Sequence, residues 1–262
     1  MTAGIVRLTE RQAQAFLEDR LDGTGPCTVK EDVPLSALGA SIVLPNARLM
    51  MTSLLDGGAK LTARGNLNRK LVASLVERFR WPGYGADGLR DACKVVNEHD
   101  FVPAMYLHAV LRLSGLARRR KGVLELTRNG RALLPEEAAG RLQATLLRAT
   151  FGRYNLAYLD GFRMPEVFGP QISLILYLIG QFCTDWRPVD ALMRSVTLPI
   201  EELTEPEYPG LPVPAFAARV LRHLCWFGLM EEGRIAANDD WQQPRRYRKT
   251  PLYDRSLFFD LR

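Results

Sequence analysis

The chain has 262 residues, 47% of them hydrophobic and 24% charged, with a formal net charge of +6. That length suits one large domain or two ordinary ones, and the composition excludes long disorder. A membrane-spanning helix is excluded too, because the longest apolar stretch, ISLILYLIG at 172–180, falls short of the roughly 20 residues a bilayer needs.

The opening MTAGIVRLTERQ has no basic segment followed by an apolar run, so no secretory signal is expected. Cys27, Cys93, Cys183 and Cys225 are far apart, a spacing that fits neither a zinc pair nor a disulfide scaffold. A reduced, cytoplasmic protein without metal or other cofactor is the expectation. The positive charge is concentrated. Residues 60–80 carry six cations against Glu77, and residues 112–131 carry seven against Glu125. Clusters of this kind attract polyanions.

In chain order, Thr9-Glu10-Arg11-Gln12 has the spacing of a capping box and opens a helix ending near Asp22-Gly23. Residues 23–40, rich in glycine and proline, are expected to be a connecting loop. Pro45 begins an apolar-periodic helix that stops at Gly57-Gly58. Lys60-Leu61-Thr62 has room for one edge strand. Asn66 or Asn68 caps the next helix, where Leu67, Leu71, Leu75, Val76 and Phe79 recur at helical spacing. After a loop at 81–88, Asp100 is expected to cap the helix FVPAMYLHAVLRLS, 101–114. Gly115 closes that helix. Leu116–Arg120 and Val123–Leu126 form a hairpin turned by Lys121-Gly122, and Thr127 caps a helix running from Arg128 towards Ala149. Helix, strand, helix, helix, strand, turn, strand is the order of a winged helix, a helix-turn-helix variant whose hairpin is the wing.

The second half repeats the plan. Residues 169–183 and 188–196 are expected helices, followed by a proline-rich loop at 197–214. The stretch VPAFAARVLRHLCWFGL, 213–229, then parallels VPAMYLHAVLRLSGL, 102–116: each opens on Val-Pro-Ala, carries Val-Leu-Arg and closes on Gly-Leu. A second wing is expected over 229–236, Asn238-Asp239-Asp240 and 245–249. The predicted fold is therefore mainly α with small β-hairpins, an α+β tandem of winged helices. Its parts are an N-terminal helix and loop (1–40), a first winged helix (41–150) and a divergent second (151–262), joined by a helix near 132–150.

The pieces KLTARGNLNRKLV (60–72), NEHDFVPAMYLHAVLRLSGL (97–116) and KGVLELTRNGRALL (121–134) resemble an uncharacterised bacterial winged-helix-like family over roughly 45–135. Some of its members occur beside plasmid-borne or mobile-element domains. The resemblance implies no known activity and supplies no catalytic residues.

The functional candidates are basic. Arg118, Arg119, Arg120 and Lys121 lie on the first wing, where cations fix a protein on phosphates without reading bases. The alternative is an edge strand kept soluble by charge. Helix 101–114 offers only His108, Arg112 and Ser114 to a groove that is read by Arg, Lys, Asn or Gln. Helix 214–227 offers Arg219, Arg222 and His223. On the second wing, Arg245, Arg246, Arg248 and Lys249 interleave with Tyr247, a pattern that suits base stacking on an open face. The aromatics Trp226, Phe227, Trp241, Tyr247, Tyr253, Phe258 and Phe259 are otherwise core candidates, and LYDRSLFFDL is expected to dock as a tail on the domain or on a second subunit. Glu98-His99-Asp100 is no metal site, because adjacent side chains diverge, and no nucleophile or phosphate-loop motif is present. The expected function is a non-enzymatic, duplex-binding protein, a transcriptional regulator among the roles. The alternative is a winged-helix module for assembly with a protein partner or a second copy.

Overall fold

The computed structural model describes residues 7–204, 210–234 and 245–261. It is a mixed α and β fold, mainly helical with small antiparallel sheets. The chain forms two compact units, one of residues 31–149 and one that joins the chain through Lys30 to Thr150 onward.

The discontinuous unit begins with α1, Glu10–Glu18, held by the capping box: Gln12 N–H donates to Thr9 Oγ1 at 3.2 Å and Thr9 N–H to Gln12 Oε1 at 2.9 Å. The helix stops at Glu18, before the expected end near Asp22-Gly23. The Asp19 carboxylate accepts from Leu21 N and Cys27 N (2.7 and 2.8 Å) and from Ser173 Oγ (2.8 Å), which turns the chain. What the sequence presents as a loop then contains β1, Cys27–Val29, paired antiparallel with β8, Leu257–Phe259. The tail is thus a strand partner within its own chain. Phe16 of α1 stacks on Tyr177 at 4.9 Å, and Phe259 closes over Tyr177 at 5.5 Å. The N-terminal segment, expected to stand apart from both modules, shares this core with the C-terminal half.

In the continuous unit, α2 (Val43–Thr52) precedes β2 (Ala59–Lys60), and α3 (Arg69–Arg78) follows, capped by Asn68. The Asn68 side chain accepts from Leu71 N at 3.0 Å. A short α4, Ala86–Ala92, occupies part of the expected loop. Helix α5 is Val102–Leu113. Asp100 does not cap it; its carboxylate accepts from Asn97 N (2.8 Å) and closes a 3₁₀ turn before the helix. Strands β3 (Ala117–Arg120) and β4 (Val123–Leu126) follow, with sheet order β2–β4–β3. Thr127 caps α6, Arg128–Ala132, which is far shorter than expected. Pro135 has no N–H for a continuing helix and disfavours helical backbone at Leu134, so the chain restarts as α7, Ala139–Gly152. Leu75, Phe79, Phe101, Tyr106, Leu107, Val110 and Leu124 are among its buried core residues.

The discontinuous unit repeats this order with α8 (Ile172–Phe182), β5 (Arg187–Pro188), α9 (Val189–Val196) and a short α10 (Glu201–Thr204). One helical run follows: α11 (Pro212–Phe216), a π-turn (Ala217–Leu221) and α12 (Arg222–Trp226). Strands β6 (Met230–Arg234) and β7 (Arg245–Lys249) then pair in the order β5–β7–β6, before α13, Pro251–Ser256. The expected turn residues Asn238-Asp239-Asp240, and Trp241, lie outside the described residues.

The repetition extends to individual bonds. Gly115 and Gly228 take φ of 71° and 74°, a left-handed helix end that glycine adopts without strain. Leu116 N donates to Leu111 O and Leu229 N to Leu224 O; Thr127 N donates to Leu116 O and Thr250 N to Leu229 O. Thr127 Oγ1 donates to Gly115 O at 2.8 Å, Thr250 Oγ1 to Gly228 O at 2.7 Å. Aligned on these bonds, Arg112 falls opposite Cys225, so the shared Val-Leu-Arg letters are not equivalent positions. The second helical run is longer and contains a π-turn that the first lacks.

Candidate nucleic-acid interface

The first hairpin turns on two residues. Lys121 and Gly122 both have positive φ, 48° and 76°, the backbone of a type I′ turn whose twist matches paired strands. Arg118 and Arg120 then share the outer face of the sheet with Glu125, while Arg119 points to the other face. The register aligns Lys60, Val123 and Arg120 across the three strands. Leu61 and Leu67 bridge, and Gly65 N donates to Thr62 O at 2.8 Å, which makes residues 61–67 a second small hairpin. Its tip holds Arg64. Arg119 crosses to that tip, its Nη1 only 2.9 Å from where a Cβ on Gly65 would stand.

The fold thus gathers cations from two distant sequence segments around one sheet: Lys60 and Arg64 from the first, Arg118 to Lys121 from the second. All of them are exposed. Glu125 is the one carboxylate on these three strands; its Oε1 accepts from Arg118 Nε at 2.9 Å and lies 4.0 Å from Arg120 Nη1. Arg119 and Lys121 form no ion pair among the described residues. Beside them, Ala109, Arg112 and Leu113 of α5 and Ala117, Arg118 and Arg119 of β3 line a shallow cleft of about 460 Å³. Arg112 is exposed there.

His108 is not at this surface. It is buried, with Nδ1 2.6 Å from Glu98 Oε1, and Glu98 Oε2 accepts from Leu67 N at 2.5 Å. It is therefore not a groove reader: through Glu98 the imidazole ties α5 to the end of the 61–67 hairpin. Ser114 is also spoken for, its hydroxyl donating to Leu111 O at 3.1 Å.

In the second module, Arg219 and His223 are corrected as well, whereas Arg222, Arg245, Arg246, Arg248 and Lys249 keep some exposure. Arg219 is 0% exposed. Its Nε meets Asp160 Oδ2 at 2.5 Å, Nη1 meets Pro165 O at 2.5 Å, Nη2 meets Met164 O at 2.9 Å, and Glu166 lies 3.5 Å away. It is a pin inside the unit. Burial raises the Glu166 pKa, against the pull of the Gly169 N–H and the Arg219 cation. His223 is buried beside the Arg219 carbonyl (2.8 Å), and burial, aided by the Arg222 cation, lowers its pKa to about 3. Arg222 stacks on Trp226 at 5.1 Å. Lys249 donates to Gly180 O (2.9 Å) and Asp254 Oδ1 (2.7 Å), Arg245 faces Glu232 (3.5 Å), and Arg248 bonds Glu231. Tyr247, the aromatic expected between these arginines, faces the core at 1% exposure with its hydroxyl on Glu232. Trp226, Phe227 and Tyr253 are core residues as expected, whereas Phe258 is exposed.

Burial pushes the Cys183 and Cys225 thiols up to about 12, which leaves them protonated and poorly nucleophilic near neutrality. No group of three or more possible metal ligands gathers among the described residues. Among the same residues, no helix is long and apolar enough to cross a membrane.

Comparison with known proteins bears on the same unit. Residues 39–140 match the Y4jL N-terminal domain family. A stretch of 79 residues is 44% identical to the "Uncharacterized protein y4jL" of Sinorhizobium fredii (strain NBRC 101917 / NGR234), covering 30% of this chain and 36% of that protein. The chain thus spans about a third of that relative's length. Both findings support likeness to an uncharacterised bacterial family, and the family match falls within the unit that carries the basic hairpin. No solved structure matches the chain.

Proposed function

We propose that the protein binds duplex nucleic acid without enzymatic activity, gripping phosphates through the basic hairpin of its continuous unit. In this reading each unit is a winged helix, with α5 and the α11–α12 run as third helices and the β3–β4 and β6–β7 hairpins as wings. The repeated element order and the matching Gly-Leu and Thr bonds support that assignment. The observation that carries the function is the convergence of Lys60 and Arg64 with Arg118, Arg119, Arg120 and Lys121 around one sheet holding one carboxylate. Clustered guanidinium and ammonium groups release counterions when they meet a phosphate backbone, and that release dominates affinity. Base reading is a minor part. With His108 and Ser114 committed internally, Arg112 is the one α5 candidate left at the surface.

The alternative, a protein-interaction module, draws on the α5–β3 cleft and on Leu113, which is 37% exposed beside it. Replacing Arg118, Arg119, Arg120 and Lys121 together by Ser separates the two. Loss of affinity for every duplex tested, with the fold retained, supports the phosphate grip. Undiminished binding at low salt overturns it.

A further inference from the structure

The outer face of the β5–β7–β6 sheet carries an arrangement that the first sheet lacks. Continuing the pairing Arg187↔Tyr247 by one residue sets Trp186 level with Arg248. The indole lies across the sheet onto Gly233, where a Cβ would stand 2.8 Å from Trp186 Cζ3 and 2.9 Å from Cη2. That contact accounts for a glycine in mid-strand. The guanidinium carbons of Arg246 and Arg248 sit 5.0 and 4.7 Å from the indole centroid. Arg248 is partly neutralised by Glu231. Arg246 is not: among the described residues it forms no ion pair, and its Nε is buried without a hydrogen-bond partner there. A half-buried cation held over an indole, with no counter-charge among the described residues, suits an anion that also has a flat face.

We propose that Trp186, Arg246 and Arg248 form a second binding site, a stacking surface for an unpaired nucleic-acid strand. Planar guanidinium groups and an indole accept the π-face of any base, and such stacking tolerates sequence. Arg246 supplies the charge for the adjoining phosphate. A duplex cannot use this surface, because its base faces are already stacked on one another. An acidic peptide would use the charge and leave the ring idle. This site is independent of the duplex grip, and either can fail alone.

The test uses the full chain and a fluorescent fifteen-nucleotide oligo-dT at 50 mM salt, read by anisotropy beside a random-sequence duplex. Arg246→Gln and Trp186→Ala should each weaken oligo-dT binding about tenfold, within the range measured for stacking. Trp186→Phe should recover most of that loss, and Arg246→Gln should leave duplex affinity at the parent value. Should Trp186→Ala fail to fold, as its packing on Gly233 allows, Arg246→Gln and Trp186→Phe decide. The proposal is overturned if oligo-dT does not bind the parent, or if Arg246→Gln leaves oligo-dT binding unchanged. It is also overturned if polyglutamate of equal charge displaces oligo-dT as well as unlabelled oligo-dT does. Loss of duplex binding alone would remove the duplex reading and leave this site standing.

Discussion

Replacing Arg219 by Ala separates a buried pin from a surface contact. The side chain is fully buried, and the side chain of Asp160, its closest carboxylate partner, is 1% exposed. Truncation leaves that carboxylate without its cation and leaves the carbonyls of Met164 and Pro165 without the guanidinium donors they have now. Removing one partner of a buried pair costs about 3–5 kcal/mol, because the remaining charge stays desolvated. The loss should appear as a lower denaturant midpoint, followed by far-UV circular dichroism and tryptophan fluorescence. Asp160→Asn, which removes the charge and keeps the shape, should cost less than Arg219→Ala. If Arg219→Ala instead unfolds at the parent midpoint, the guanidinium is not buried in solution and the pin is wrong.

Other outcomes follow from the same structure. Gly122→Val should destabilise by about 1 kcal/mol or more, since a β-branched residue resists the φ of 76° found there; a thermal melt at the parent temperature would contradict the type I′ turn. His223 has a folded pKa depressed from 6.5 to about 3, so its contribution to stability is complete above pH 6.5 and is lost as pH falls. Between pH 6.5 and 5, where carboxylates still ionise, stability should fall by up to about 1.4 kcal/mol per pH unit. His223→Gln should flatten that slope, and an unchanged slope would mean that the imidazole is not buried neutral. His108→Leu should lower stability by leaving the Glu98 carboxylate buried without the imidazole, yet leave preference among duplex sequences untouched; a changed preference would return His108 to the groove.

Local chemistry was legible in the sequence wherever one residue decides the backbone. Thr9 with Gln12, Asn68, Gly115, Lys121-Gly122 and Thr127 all stand where their capping or turn preferences place them. Long-range pairing was not. Nothing in CTV at 27–29 announces a partner at 257–259, because a three-residue strand has no periodicity to read and its register is set by packing around Phe16 and Tyr177. Direction was the other gap. His108, Arg219 and Lys249 are polar letters on amphipathic elements, and sequence cannot tell a solvated polar group from one satisfied by Glu98, Asp160 or Asp254. Trp186 was missed for a related reason: its role depends on Gly233 and Arg246, which are close only after the sheet forms.

The phosphate grip is tested most directly by titrating random-sequence duplex DNA with the parent chain at 50 and 200 mM salt. If about five phosphates are neutralised, affinity should fall more than a hundredfold between the two salts, and the Ser replacement of Arg118, Arg119, Arg120 and Lys121 should flatten that dependence. No binding at 50 mM salt, or a parent-like salt dependence in the variant, would contradict it.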